Sequence, residues 1–196
     1  MSLNILLISD TMIKERTAIH GNIDPQLLYP DIKVAQDMYI LPILGSALFN
    51  KLQTIIADNT ITSDVALVNY KNLMDRYVVD TLIYYTLAEL PSTLSYQFWN
   101  KGVVRKHGES TELPSMSELI DIANKYKNRA EFYGNRLRLY LRQNAPVMFA
   151  EFISYGNGVD DIYPSHKTFT MPVWLGDDSS CGQTFEEKYQ GNRPIC

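Results

Sequence analysis

Cysteine is nearly absent from this 196-residue chain: Cys181 and Cys196 are the only two, both near the C-terminal end, and neither belongs to a Cys-x-x-Cys pair. That excludes a cysteine-held zinc module and a disulfide-stapled scaffold as the basis of the fold. A bridge between these two is disfavoured in a reducing cytosol. Histidine is almost as scarce. His20, His107 and His166 lie far apart, and no His-Glu-x-x-His, Gly-x-Ser-x-Gly or paired metal-ligand spacing accompanies them. Each is expected to be a surface histidine, with no metal, cofactor or catalytic residue implied.

Long uncharged apolar runs are missing too. The best, Tyr77 to Leu90, contains Asp80 and Glu89 and falls short of the ~20 residues that a membrane span needs, so no membrane partner is expected. Leu3 to Ile8 is apolar, but no Lys or Arg precedes it and no small-residue cleavage site follows; it reads as part of a chain that stays in the cytoplasm where it is made. No Gly-rich phosphate loop, Walker lysine or repeated strand–helix pattern follows Ile5–Asp10, which is therefore read as a docked N-terminal segment leading into a helix cap. The net charge of −4 argues against a protein that coats nucleic acid, and partners are to be sought in local patches.

Acidic doublets at Asp160-Asp161 and Asp177-Asp178 lack the central Gly and terminal Glu of a calcium loop. The alternating Asp58, Thr60, Thr62 and Asp64 carry Ser63 and Asn69 where those residues belong. Capping chemistry explains the second run and solvated loop charge the first. A hydrolase would need Asp160, Asp161 and His166 to converge on one pocket.

What the chain does contain is helical periodicity. Ser9 or Asp10 caps a short helix to about Ala18. Pro30 is placed as the first residue of a second, with Ile32, Ala35, Met38 and Tyr39 on one face, and Pro42 ends or kinks it. A third turns Ala47, Leu48, Leu52, Ile55 and Ile56 inward until Asp58-Asn59. Thr62 or Ser63 caps a fourth, in which Leu67, Met74, Thr81 and Ala88 recur every seven residues with Tyr70, Tyr77 or Val78, and Tyr84 or Tyr85 between them; Pro91 stops it.

Residues 95–112 read as a β-hairpin turning at Asn100-Lys101-Gly102, which must pack on the helices or on a neighbouring subunit. Ser115-Met-Ser-Glu118 is a capping box. It opens the longest helix, to about Gln143, with Met116, Leu119, Ile120, Ala123, Tyr126, Ala130, Tyr133, Leu137, Tyr140 and Leu141 as its apolar stripe. A further short turn of helix is placed after Pro146. From Gly156 the composition turns to Gly, Asp, Pro and aromatics too apolar to be left in water.

The fold expected is mainly α: a small helical bundle with a long C-terminal helix, one β-hairpin insertion and an extended C-terminal tail. Residues 1–154 form the helical domain, with the insertion at about 95–112, and 155–196 form the tail. Lys125, Lys127, Arg129, Arg136, Arg138 and Arg142 make the long helix basic, with only Glu131 among them. That charge suits an acidic partner or passing DNA, and equally a solvated helix face.

The order Ile32-x-x-Ala35-Gln36-x-x-x-Ile40-x-Pro42-x-Leu44-Gly45-x-x-Leu48-Phe49-x-x-Leu52, after a short helix and an Asp24-Pro25 turn, is similar to the head-to-tail connector proteins of tailed phages. It most resembles the adaptor or ring proteins of crAss-like and other Bacteroides phages. The resemblance implies a non-enzymatic structural virion protein, made in the host cytoplasm and residing in the neck. There it would form a homo-oligomeric ring, commonly of twelve copies, below the portal protein. Such a ring extends the DNA channel and offers a docking surface to the next neck or tail component, with DNA only passing through.

On this resemblance the hairpin and the aromatic tail reach to neighbours, making Trp99, Tyr163, Phe169, Trp174 and Phe185 the candidate interface. Arg129, Arg136 and Arg138 then face the lumen or an acidic neighbour. The alternative is a small cytoplasmic helical DNA-binding or regulatory protein that uses the same basic helix.

Overall fold

The computed structural model describes residues 5–60, 67–100, 102–105, 114–153 and 162–165. The expected cap at Thr62 or Ser63, the whole 106–112 stretch with His107, His166, both acidic doublets, both cysteines, and Phe169, Trp174 and Phe185 lie outside those residues. The chain divides into two units, Met1–Ser165 and His166–Cys196; all that follows concerns the first.

Its described part is mainly helical. The Ser9 side chain accepts the Met12 N–H and opens α1 (Asp10–Arg16). Asp24 does the same for Gln26 at the start of α2 (Pro25–Ala35). A wide, π-type turn over Gln36–Ile40 leads into α3 (Leu41–Leu44), which stops at Gly45, and α4 spans Ser46–Ala57. Then α5 (Val68–Leu73), a second wide turn (Met74–Val78) and α6 (Val79–Ser95) form one continuous rod. The backbone of β1 (Tyr96–Trp99) runs antiparallel to β2 (Gly102–Arg105), with Tyr96 opposite Arg105 and Trp99 opposite Gly102. The capping box forms as the sequence requires: Ser115 and Glu118 each satisfy the other's backbone N–H, and α7 runs from Met116 to Met148. A last turn, α8, covers Ala150–Ile153.

Prolines are where sequence and structure part. Pro30 does not begin α2; Pro25 does, and Pro30 lies in its interior. Pro91 and Pro146 likewise sit inside α6 and α7, which run on to Ser95 and Met148. Each ring removes one backbone hydrogen bond, an interior cost of about 3 kcal/mol. Burial of what lies beyond offsets it. Phe149, three residues past Pro146, is fully buried and its N–H returns to the Ala145 carbonyl at 3.1 Å; full burial of such a ring contributes about 1.5–3 kcal/mol. Pro42 does not end its helix either. The wide turn ahead of it absorbs the clash between its ring and the preceding carbonyls, and the helix stops three residues later at Gly45, whose φ of 76° suits only glycine.

The core gathers around α6, which packs on α2 along one part of its surface and on α7 along another. Val78, Val79, Thr81, Leu82, Ile83, Tyr85, Thr86 and Leu87 of the rod are all buried. Thr81 and Thr86 turn their hydroxyls to their own helix, donating to the Tyr77 and Leu82 carbonyls at 2.6 and 2.9 Å, so neither is an unpaired polar group in the core. At the α6–α7 crossing Gly134 lets the helices close up: a Cβ there would meet Tyr85 Oη at 3.4 Å and Thr81 Cγ2 at 3.7 Å.

The N-terminal segment is docked beside the bundle. Leu7 N–H donates to Gln36 Oε1 at 2.8 Å, while Gln36 Nε2 and Gln53 Nε2 both donate to the Ile5 carbonyl at 3.0 Å. These two buried glutamines hold the extended backbone, which places Leu7 and Ile8 in the core.

Two neighbouring leucines of α7 make the burial argument testable. Leu137 is fully buried and Leu139 is 58 % exposed. Leu137→Ala should cost about 2–5 kcal/mol and Leu139→Ala no more than about 0.5 kcal/mol, compared by urea unfolding of the two variants.

Candidate functional site

Seven-residue spacing on α6 meets seven-residue spacing on α7. Tyr77 stacks on Tyr140 with ring centroids 4.1 Å apart, and Tyr84 on Tyr133 at 5.0 Å. Beyond them Phe149 closes the row, edge-on to Tyr70 at 5.4 Å. Tyr70 Oη donates to Glu151 Oε2 at 2.7 Å, and burial, then this bond, push its hydroxyl up to about 12. The tyrosines thus border the core with their hydroxyls at its edge.

Outside this seam α7 carries a second stripe: Ile122, Lys125, Arg129, Phe132, Arg136 and Leu139, spaced 3-4-3-4-3 and all exposed. Phe132 is 66 % exposed. The Arg136 guanidinium lies 5.0 Å over the Tyr77 ring and that of Arg129 5.8 Å over Tyr126, which holds both cations along the surface without burying them. Arg138 is not with them. It lies on the opposite flank of α7, half-buried, with Nη1 donating to Asn135 Oδ1 at 2.9 Å and Nε buried with no hydrogen-bond partner. Of the three arginines expected on the resemblance to face a lumen or an acidic neighbour, Arg129 and Arg136 share an exposed face and Arg138 does not.

A groove of about 300 Å³ opens between the end of α6 and the start of α7, lined by Ala88, Glu89, Pro91, Tyr96, Met116 and Ile120 among others. Met116 and Ile120, assigned to the inner stripe by periodicity, are here 58 % and 49 % exposed. The first turns of α7 extend past what α6 can cover. Tyr39 forms one wall: its ring stacks on Tyr85 at 4.0 Å and its hydroxyl donates to Glu89 Oε1 at 2.7 Å. Burial, followed by that bond and the Glu89 charge, pushes Tyr39 up to about 12.

Asp31 is buried nearby on α2. Its Oδ1 accepts the Thr93 hydroxyl at 3.0 Å, and its Oδ2 has no partner. Burial raises its pKa above 3.8; the Thr93 bond opposes this and the Glu89 charge adds to it.

The other sequence candidates are placed as follows. The backbone of Trp99 ends β1. Tyr163 is 57 % exposed within a short segment docked on the helix break. There Ser46 N–H donates to the Ile162 carbonyl at 2.9 Å and Ser165 N–H to the Pro42 carbonyl at 2.7 Å. His20 closes a local turn, its Nδ1 accepting the Asn22 N–H at 3.2 Å. Among the described residues no group of three or more His, Cys, Asp or Glu side chains is placed to hold a metal ion, and no helix is long and apolar enough to cross a membrane. The outer stripe of α7 mixes cations with apolar residues, so neither hydrophobicity nor charge by itself marks it in the sequence; its 3-4 spacing does.

The described body is thus a helical module with a mixed exposed stripe along one long helix and a segment docked at one helix break. It belongs to DUF6712, a family of unknown function, whose model matches residues 40–161. No curated protein and no solved structure matches the chain.

The Asp31 carboxyl sets a pH dependence. Its folded pKa is raised, so the folded protein keeps this proton to higher pH than the unfolded chain does. Its contribution to stability is full below 3.8 and is lost as pH rises through the folded value. Asp31→Asn keeps the Thr93 bond and removes this slope. Thermal melts from pH 4 to 7 should show the variant gaining on the parent as pH rises, and parallel pH profiles for the two would count against a raised Asp31.

Proposed function

We propose that this protein is a structural connector that works by side-by-side association of copies through the outer face of α7, as a ring component of a tailed-phage neck. The carrying observation is the stripe Ile122–Lys125–Arg129–Phe132–Arg136–Leu139. A bundle that already buries a full core still presents a long face on which cations and large apolar side chains are interspersed. Such a face fits a protein surface that is acidic and apolar by turns. It fits duplex DNA poorly, because phosphates reward the arginines but offer nothing to Phe132 and Leu139.

In this reading the ring lies below the portal and lengthens the DNA channel, and the hairpin expected at 95–112 and the tail after Ser165 reach to adjoining subunits. Many modest contacts repeated around a closed ring then give a stability that no single interface supplies. The resemblance of the Ile32–Leu52 motif to phage connectors supports the neck setting. The regulatory, DNA-binding alternative keeps only the charge in its favour.

Native mass spectrometry, alone and with portal protein added, is the test. Arg129→Glu/Arg136→Glu should weaken assembly by about tenfold or more, while Lys51→Glu, an exposed lysine of α4, should leave it unchanged. A monomer indifferent to portal, combined with salt-sensitive DNA binding that the double reversal abolishes, would replace the connector with the alternative.

A further inference from the structure

The break between α3 and α4 is built as a receptor for a segment of backbone. A helix that ran through residue 45 would use the Pro42 carbonyl and the Ser46 N–H for each other. Gly45, at φ 76°, turns the chain so that both are freed. The segment Ile162–Ser165 takes both places: Ile162 carbonyl from Ser46 N–H at 2.9 Å, Ser165 N–H to Pro42 carbonyl at 2.7 Å. Ser46 Oγ adds a third bond, accepting the Ile162 N–H at 2.8 Å. The Pro164 ring, itself buried, fills the space where a side chain at residue 45 would begin; a Cβ there would lie 2.7 Å from Pro164 Cδ and 3.2 Å from the Ile162 carbonyl. The fit therefore reads backbone groups at the first and fourth positions of a four-residue segment with proline at its third, and it requires glycine beneath that ring.

We propose that this cradle is an exchangeable docking site for the Ile162-Tyr-Pro-Ser strand, and that the strand of a second copy of this chain can occupy it in place of the chain's own. Nothing in the recognition depends on how the strand is tethered, because it consists of backbone groups, one hydroxyl and one proline ring. The eight residues from 154 to 161 in sequence between α8 and this segment include Gly156, Asn157 and Gly158. Ile162 and Tyr163, 44 % and 57 % exposed beside the cradle, leave apolar surface on the docked strand that a second copy covers. The inference stands on this geometry and not on the neck setting.

Two full-length variants test it. Ile162→Pro/Ser165→Pro removes two of the strand's donors and leaves an open cradle. Gly45→Ala closes the cradle and leaves a free strand. Mixed, they should form a one-to-one pair by native mass spectrometry that neither forms alone.

A labelled Asp161–Phe169 peptide should bind the strand-defective chain about tenfold or more tighter than wild type, where the tethered strand competes at high effective concentration. It should not bind Gly45→Ala. If that variant loses its helical circular dichroism, Ser46→Ala replaces it as the weakened cradle. Failure of the folded strand-defective chain to bind the peptide or form the pair overturns the proposal, even if wild type assembles into rings. A pair formed by variants of a chain that never builds rings supports the cradle and counts only against the neck.

Discussion

Tyr77 stacks on Tyr140 and Tyr84 on Tyr133 because two antiparallel helices bring residues seven apart on one against residues seven apart on the other. The other contacts are arranged around that register. It sets Gly134 against Tyr85 and Thr81, where the absence of a side chain lets the two backbones approach. It also carries α7 past the end of α6, so that Met116 and Ile120 line a groove rather than a core. A slip of one helical turn would unpair the rings and take Gly134 away from Tyr85 and Thr81.

The same balance between local cost and distant burial explains the prolines. A proline taken alone is a strong stop signal, since it removes a donor and crowds the preceding turn. At Pro91 and Pro146 the residues beyond the ring include a large apolar side chain that reaches the body, half-buried Leu94 in one case and fully buried Phe149 in the other. The helix continues because stopping would leave that side chain in water. Around Pro42 the chain uses two backbone devices in succession, a wide turn before the ring and a glycine after it. The second of these creates the cradle for Ile162–Ser165.

Two exposed features of the described body stand out besides the groove at the end of α6. The outer stripe of α7 is broad, mixed in charge and apolarity, and suited to a protein partner. The cradle is narrow and reads backbone. Titratable side chains elsewhere in the described body tie elements together: Tyr39 to Glu89, Tyr70 to Glu151, Arg16 to Asp80. Membership of DUF6712 covers both the α6–α7 register and the helix break, since the matched residues 40–161 contain all but the docked strand itself.

Sequence alone determined the mainly helical class, a cap at Ser9 or Asp10 and another at Ser115, the long helix that Ser115 opens, and the seven-residue tyrosine spacing on both helices. Each follows from residues within a few positions of one another. Only the tertiary structure decided which prolines are read through, which flank of α7 Arg138 takes, that Asp31 is buried with a partnerless oxygen, and that Gly45 lies beneath Pro164. Those outcomes depend on residues far apart in the chain meeting in space. A motif such as Pro42-x-Leu44-Gly45-Ser46 shows that backbone groups will be freed, but not which distant strand will satisfy them.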